Sequence, residues 1–559
     1  MASRLSSFLA ELKRRKVYHV AVVYVLVGLA VAQGADWAFD LIELPNMASQ
    51  LVAILIVLGF PIALVLAWAY EVRPEEPRVA EEAPASVIAS SESERKSIVV
   101  LPFDNMSPDP GDAYFADGLT EEIITNLSYL RSLRVISRSS AMALKGTHKD
   151  LRTIGRELEV QYVLEGSVRK AGDDLRITAQ LIDASLDAHL WAERYDGVLD
   201  DVFAVQETVS RSIVNALHLE LSPAEEQRVS SRPAADPRSY DTLVLARYEW
   251  RKFSKEGCER AIQLAHQVLS VEEDNAQAYG ILGAVHYWAF QFGIDGYEES
   301  LQKAEEYAKK ALELDPTSAD ALGALAAAKF KRGDFEGCLE IMRRVVEAAP
   351  DGFTASFLGI LLAELDRVPE ALSWANEAVA MDPLNFLPAC FRSMVDIFDG
   401  RFEVALHDLR EARARLAPGE AFAGWWLGQA AAYAGEEEEA RAVLKEVAEK
   451  GTAFWSDMCA LLLSALDGDR DGVGELLENT QLRELAERDE YFPIFLANAL
   501  ALVGETDEAL DCIEQAMDWG FSNARFLSVH NPHLESLRND PRFLALMDRA
   551  REQAAAIST

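Results

Sequence analysis

The chain has 559 residues, which exceeds the size of a single hydrophobic core and predicts several domains. Its 54 Lys and Arg and its 91 Asp and Glu give a formal net charge of −37, which repels phosphate backbones and counts against nucleic acid as a ligand. Half of the residues are apolar, so the chain is not wholly disordered. The five cysteines are dispersed and form no CxxC pair, so neither a disulfide framework nor a cysteine zinc site is predicted.

Two apolar segments, 17–39 and 47–70, follow a basic N-terminus of residues 1–16. Each is long enough for a helix to cross the hydrocarbon layer, which takes about 20 apolar residues. The sequence therefore predicts a transmembrane hairpin of two helices. An alternative is that the basic residues, the first apolar run and the Ala-Val-Ala at 30–32 form a cleavable signal peptide.

The distribution of Lys and Arg predicts the orientation of this hairpin. Residues 13–16 are all basic, whereas the connection 33–46 contains no Lys or Arg. The positive-inside rule then places the N-terminus and everything after Glu71 in the cytoplasm. We expect the protein at a bacterial inner membrane with its soluble region in the cytoplasm. Residues 71–96, rich in Pro, Ala, Ser and Glu, are predicted to be a flexible linker.

Residues 97–222 have the pattern of a small α/β domain. Short apolar or alternating runs predict strands at 98–103, 134–137, 162–169, 175–183 and 189–196. Helical spacing of apolar residues predicts helices at 113–130, 151–158 and 202–221. The resulting order, β-α-β-α-β-β-β-α, is that of an α/β sandwich.

Six sequence blocks in this domain resemble a known family. They are IVVLPFDNMS (98–107), YFADGLTEE (114–122), RVISRSS (134–140), VLEGSVR (163–169), RITAQLID (176–183) and HLWAERYD (189–196). These blocks resemble the bacterial TolB-like N-terminal domain, which is itself similar to FlgO. The resemblance implies a membrane-anchored protein with tetratricopeptide repeats. Relatives carry an adenylate cyclase or winged-helix module at the N-terminus; only residues 1–16 precede the first apolar segment here, so we expect both to be absent.

Polar residues within these blocks are candidates for a ligand site, namely Asp104, Asp117, Glu121, Glu165 and Arg169. Ligands of open α/β sheets bind near strand ends, where these side chains would converge. The alternative is that Asp104 and Asn105 cap turns while Glu165 and Arg169 form ordinary surface pairs.

A regular spacing of small residues begins near Pro237. Ala304, Ala308 and Ala311 precede Pro316, and the same intervals recur before Pro350 and Pro383. A period of 33 to 34 residues with this spacing resembles the tetratricopeptide repeat. We therefore predict a superhelix of stacked helical hairpins over residues 237–520, followed by closing helices over 521–559.

The concave face of such a superhelix is lined by the first helix of each hairpin. The predicted partner-binding residues on this face are Tyr287, Phe330, Lys331, Met394, Trp425 and Gln429. Exposed aromatic side chains there would anchor a protein or peptide partner. The alternative is that several of them pack between repeats.

Known catalytic and metal motifs are not predicted to operate in this chain. A calcium-loop pattern at Asp467, Asp469, Asp471, Gly472 and Glu478 falls in the turn of a repeat and is interpreted as structural. Neither a phosphate-binding glycine loop nor a hydrolase or kinase motif occurs. We predict no catalytic residue, no cofactor and no metal.

The predicted fold class is thus multidomain: a two-helix transmembrane hairpin, a small α/β TolB-like domain and an all-α tetratricopeptide solenoid. The predicted function is that of a membrane-anchored, non-catalytic adaptor or scaffold that binds protein partners through the superhelix. Homo-oligomerisation is left open, and no nucleic-acid partner is expected. The alternative is a signalling regulator whose TolB-like domain senses a small molecule or nucleotide.

Overall fold

The structure is a computed structural model. It describes residues 95–557 apart from 148, 199–201, 224, 227–236, 253, 290–293, 349–350, 452, 479–481 and 483–490. The predicted basic N-terminus, the two apolar segments and almost all of the linker lie outside the described residues. Residues 91–559 form one compact unit.

The first part of this unit is a mixed β-sheet. Its strands are β1 (Lys96–Val100), β2 (Asp104–Asn105), β3 (Leu133–Val135), β4 (Tyr162–Ala171), β5 (Asp174–Asp183) and β6 (Ala188–Val198). The strand order is β3-β1-β4-β5-β6, with β2 pairing separately with β4. β1 runs parallel to β3 and β4, and Val99 lies opposite Val163, whereas β4, β5 and β6 form an antiparallel meander.

Helices pack beside the sheet in the described part of this region. They are α1 (Ala113–Ser128), α2 (Arg138–Ala143), α3 (Leu151–Glu157) and α4 (Val202–Ala216). Along α1, Phe115, Leu119, Ile123 and Leu127 recur every four residues and are all buried, because this spacing places them on one helical face. The strands and helices predicted from the sequence are present, and the structure adds β2 and the short helix α2.

The rest of the described chain consists of paired helices. In chain order they are α5 (Pro237–Trp250) and α6 (Lys255–Leu269), α7 (Ala276–Ala289) and α8 (Tyr297–Leu314), α9 (Ala319–Lys331) and α10 (Phe335–Ala348), α11 (Gly352–Glu364) and α12 (Val368–Met381), α13 (Phe386–Phe398) and α14 (Phe402–Leu416), α15 (Ala421–Tyr433) and α16 (Glu437–Lys450), α17 (Ala453–Leu466) and α18 (Arg470–Leu477), α19 (Phe492–Leu502) and α20 (Thr506–Asp518). We call the odd-numbered helices α5 to α19 the first helices and their partners the second helices.

Small residues allow the two helices of a hairpin to approach closely. A Cβ atom added at Gly283 on α7 would lie 3.3 Å from the Ala304 carbonyl oxygen and 3.3 Å from the Ala308 backbone nitrogen of α8. A side chain at this position would therefore push the two helices apart. This close packing explains the small-residue spacing that predicts the repeats.

The fold-class prediction needs a correction. No described helix is both long and apolar enough to cross a membrane. Phe492–Leu502, one of the most apolar helices, has only 11 residues, which span about 17 Å of a hydrocarbon layer about 30 Å thick. The described residues thus give no support to the transmembrane hairpin, whose two segments lie outside them, and the fold that they show is a mostly helical tetratricopeptide-like solenoid with a small sheet domain. The location at a bacterial inner membrane is untested and stays a prediction.

Helix α5 joins the sheet domain to the repeats because its two faces belong to different cores. Tyr240 and Val244 pack in the core of the sheet domain. Leu243 and Ala246 pack in the core of the repeats. The two parts therefore share helix α5.

Candidate functional site: the first-helix face and the seat of the sheet domain

The C-terminal segment, which we define as residues 520–538, packs against the C-terminal ends of several first helices. It contains a π-helix (Phe526–His530) and a 3₁₀-helix (Pro532–Leu537), and helix α21 (Pro541–Ile557) follows it. The Phe398 ring at the end of α13 lies 5.5 Å from the Phe521 ring and 5.1 Å from the Phe526 ring, between centroids. The apolar side of the segment is thus part of the repeat core.

Polar contacts hold the same segment along the ends of the first helices. The Ser522 backbone nitrogen donates to the Glu364 carbonyl oxygen at 2.9 Å, at the end of α11. The Asn531 amide donates to the Asn498 side chain of α19 at 2.9 Å, and the Asn498 amide donates in turn to the Tyr433 hydroxyl of α15 at 2.8 Å. The segment therefore bridges repeats that are far apart in the chain.

The six predicted partner-binding residues divide into two groups. Phe330, Met394, Trp425 and Gln429 are buried. Tyr287 and Lys331 are only partly buried: the Tyr287 ring packs edge-on against Trp288, and the Lys331 ammonium lies 5.4 Å from the Phe330 ring centroid. The first four offer no surface to a partner in this conformation. The partner-binding role of the six residues is untested and stays a prediction.

The buried members of this group pack against other repeats. Trp425 lies 5.3 Å from Phe495 of α19 between ring centroids, and Phe330 lies 5.3 Å from Phe357 of α11. Their positions on the first helices follow from the repeat pattern. The C-terminal segment that covers this side of the superhelix has no local sequence signal that predicts its path.

Asp382, in the turn after α12, seats the sheet domain on the repeats. Its carboxylate accepts from the Ser140 hydroxyl at 2.6 Å and from the Ser140 backbone nitrogen at 3.0 Å. It also accepts from the Ser139 hydroxyl and from the Asn385 amide at 2.9 Å. A buried carboxylate with several donors is satisfied despite its burial, so Asp382 fixes the start of α2 against the repeats.

The start of α11 completes this contact. The Gly352 backbone nitrogen donates to the Ser137 hydroxyl at 3.1 Å, and the Ser137 backbone nitrogen donates to the Met381 carbonyl oxygen at 2.7 Å. A Cβ atom at Gly352 would lie 2.6 Å from the Asp382 Cβ. Glycine at this position therefore allows the start of α11 to lie directly against Asp382. We call Gly352, Met381, Asp382 and Leu384 the seat of the sheet domain.

A second contact joins α1 to α5. A Cβ atom at Gly118 would overlap Val244 Cγ1, so glycine is required at this crossing. The Arg247 guanidinium of α5 pairs with Glu122 at 3.1 Å and with Asp320 at 3.3 Å. Burial raises the pKa of Glu122, while the charge of Arg247 opposes the rise.

The polar candidates of the sheet domain do not converge at strand ends. Asp117 pairs with Lys145 at 2.5 Å, and Glu121 pairs with Arg138 at 3.0 Å, both beside the contact with the repeats. The remaining three lie elsewhere: Glu165 accepts from Gln180, and Asp104 and Arg169 are exposed. Two of the blocks that resemble the TolB-like family, 114–122 and 134–140, therefore contact the helices that follow the sheet domain.

The sequence analysis did not predict a line of partly buried aromatic rings on four consecutive first helices, at the sixth position of α13 and within the first three positions of α15, α17 and α19. We call it the aromatic rim, and it consists of Phe391, Phe422, Phe454, Trp455 and Phe492. Ring centroids are 6.0 Å apart for Phe391 and Phe422, 5.5 Å for Phe422 and Trp455, and 4.9 Å for Phe454 and Phe492. The signal in the sequence was an aromatic residue at the first or second position of α15, α17 and α19.

The residues that match the calcium-loop pattern, 467–478, include the cap of a helix. The Asp469 side chain caps α18 by accepting from the Gly472 backbone nitrogen at 3.0 Å. Within the described ranges, no group of three or more His, Cys, Asp or Glu side chains is arranged to hold a metal ion.

His533 of the C-terminal segment makes stability depend on pH. Its ring lies 4.8 Å from the Tyr433 ring, and burial lowers its pKa from 6.5 to about 4. The unfolded chain then binds a proton in a pH range where the folded chain does not, so stability falls as pH decreases through this range. Between pH 8 and pH 4.5 we expect a loss of about 2.5 kcal/mol from this residue.

The measurement is urea unfolding of the full chain across this pH range, compared with His533→Gln. In the variant, the free energy of unfolding should fall less steeply as the pH is lowered, because glutamine cannot bind the proton that His533 binds in the unfolded chain. Burial also lowers the pKa of His286 and His530 and raises that of Asp396 to about 6, so only the difference between the two proteins is diagnostic. His407→Gln, at an exposed position, should retain the wild-type slope. Identical slopes for His533→Gln and wild type would contradict the assignment.

Comparisons with known proteins agree with this architecture in part. A family model described as "HilA/YgeH-like transcriptional regulator, second domain" matches residues 94–222, and a tetratricopeptide repeat model matches residues 297–356. The helical hairpins are thus tetratricopeptide repeats. The resemblance of the sheet domain to the TolB-like family is not shown by these matches.

A curated relative, named "Putative adenylate cyclase 3" from Rhizobium meliloti (strain 1021), is 42% identical over 275 residues. The match covers 49% of this chain and 44% of the relative, so the chain spans less than half of that protein's length. Among solved structures, the tetratricopeptide protein YrrB is 19% identical with a TM-score of 0.26 and covers 34% of this chain and 93% of its own. Pseudomonas aeruginosa PilF is 22% identical with a TM-score of 0.30 and covers 38% and 92%.

Proposed function

We propose that this protein is a non-catalytic scaffold that binds a protein partner on its tetratricopeptide repeats. The observation that carries the proposal is the aromatic rim, a continuous line of partly buried rings across four first helices. Large aromatic side chains at the edge of a packed core contribute strongly to protein binding because they bury apolar area with little loss of side-chain freedom. The C-terminal ends of first helices such as α11 and α13 are covered by the C-terminal segment. The rim is therefore the surface favoured for a partner.

Site-specific photocrosslinking in cells that express the full chain tests this proposal. A benzophenone amino acid replaces Phe454 on the rim or, as a control, Val271, which is 75% exposed and lies outside it. We expect the probe at 454 to give a discrete crosslinked species of defined mass, because a partner would cover that position. The probe at 271 should give none. The same bands from both positions, or none from 454 across growth conditions, would contradict the scaffold proposal.

A second candidate function is a regulator whose sheet domain senses a small molecule or nucleotide. It is favoured by the regulator family whose model matches residues 94–222 and by the name of the curated relative, a putative adenylate cyclase. Ligand binding to the native state raises the melting temperature, so a shift of the full chain with ATP or cyclic AMP would support it. An unchanged melting temperature at millimolar nucleotide would leave the scaffold as the better account.

A further inference from the structure

The aromatic rim continues a surface that already binds a folded domain. The seat of the sheet domain lies at the start of α11 and in the turn before α13. Phe353, next to the seat residue Gly352, is 55% exposed, and Phe386 begins the following first helix. From there the rim runs along α13, α15, α17 and α19. The chain's own sheet domain covers the beginning of this edge, and the aromatic rim lies along the remainder.

The charge of the chain selects the kind of partner that fits the rim. The net charge of −37 attracts cationic partners and repels anionic ones. Close to the rim, Glu420 caps α15 two residues before Phe422, and Asp457 follows Trp455 by two residues. The nearby Arg413 is paired with Glu446 at 3.0 Å, so its charge is compensated.

Aromatic rings on this chain already pair with ammonium groups. The Lys310 ammonium lies 4.6 Å from the Tyr279 ring centroid, and the Lys252 ammonium lies 5.0 Å from the Tyr248 ring centroid. A cation over an aromatic face is attracted by the electron-rich ring. Rings of the rim that are partly open to solvent offer the same contact to a partner's Lys or Arg.

We propose that the aromatic rim binds a cationic, amphipathic segment of a protein partner. Apolar side chains of that segment would cover the rings, and its Lys and Arg would lie over ring faces and beside Glu420 and Asp457. This proposal rests on the scaffold function and adds the chemistry of the partner.

The test uses two synthetic helical peptides of equal length, one of Leu and Lys and one of Leu and Glu, titrated into the full chain by fluorescence anisotropy. We expect the Leu/Lys peptide to bind at micromolar concentration or tighter and the Leu/Glu peptide not to bind. The double variant F422A/F454A should weaken binding of the Leu/Lys peptide at least tenfold. The controls V271A and L544A, at positions exposed by 75% and 52% outside the rim, should bind like the wild type. Should the double variant not fold, F454A alone takes its place.

Three results would overturn the proposal. They are equal binding of both peptides, equal binding of the Leu/Lys peptide by wild type and rim variants, and absence of binding. Rim-dependent self-association, detected by light scattering and abolished in F422A/F454A, would make a second copy the occupant and also overturn it. Crosslinks from position 454 without peptide binding would leave the scaffold standing and reject only the cationic partner.

Discussion

Replacement of Asp382 by alanine is expected to lower the free energy of unfolding of the sheet domain and repeats by about 4 kcal/mol. The carboxylate accepts from two groups of Ser140, from the Ser139 hydroxyl and from the Asn385 amide. Its removal leaves buried donors without acceptors, and each such donor costs about 1 to 3 kcal/mol. The start of α2 should then separate from the repeats.

Denaturant unfolding and hydrogen exchange of the full chain measure this effect. The amides of α2 and of residues 137–140 should exchange faster in Asp382→Ala, whereas those of β4 and β5 should change little. Asp548→Ala is the matched control, because its carboxylate is 74% exposed and pairs only with Arg551 three residues away. This control should shift stability by less than about 0.5 kcal/mol. Equal stability of Asp382→Ala and wild type would contradict this prediction. It would mean that the contact between Asp382 and Ser140 is open to water, which then replaces the carboxylate.

The contacts around Asp382 show where sequence analysis stops. Alternation and helical spacing predict the strands and helices of residues 97–222, because these patterns arise from neighbours within one element. The repeat period predicts the hairpins for the same reason. Ser140 and Asp382 are 242 positions apart, and nothing local to either residue specifies the other. Gly118 carries the same long-range information, since it is explained only by Val244, which it meets across the contact between α1 and α5.

In the candidate site, too, the features specified within one helix were predictable and the contacts between distant residues were not. The first-helix position of Trp425 was predictable from the period, but its burial involves Trp455 and Phe495, which lie beyond its own hairpin. The C-terminal segment covers that side over sequence separations of 33 for Asn531 and Asn498 and of 160 for Asn523 and Ala363. The rim was missed because most of its rings lie within the first three positions of α15, α17 and α19, whereas the residues assigned to the concave face lie farther along the first helices. A search for aromatic residues at helix starts would have found three of its four helices.

The second large effect is expected from Phe526→Ala in the C-terminal segment. Phe526 is fully buried, and its ring lies 5.1 Å from Phe398 and 6.1 Å from Tyr433. Loss of a buried phenylalanine costs about 3 to 5 kcal/mol, because the transfer free energy is lost and a cavity is left. Val529 lies in the same π-helix and is 60% exposed, so Val529→Ala should cost less than about 0.5 kcal/mol.

Urea unfolding of both variants decides how firmly the segment is held. A loss of several kcal/mol confined to Phe526→Ala means that residues 520–538 are a permanent part of the repeat core. The ends of α11 and α13 are then closed to a partner, which leaves the rim as the favoured surface. A loss below about 1 kcal/mol would instead mean that the segment is weakly bound and can be displaced. The ends of α11 and α13, which the segment contacts, would then open to a partner.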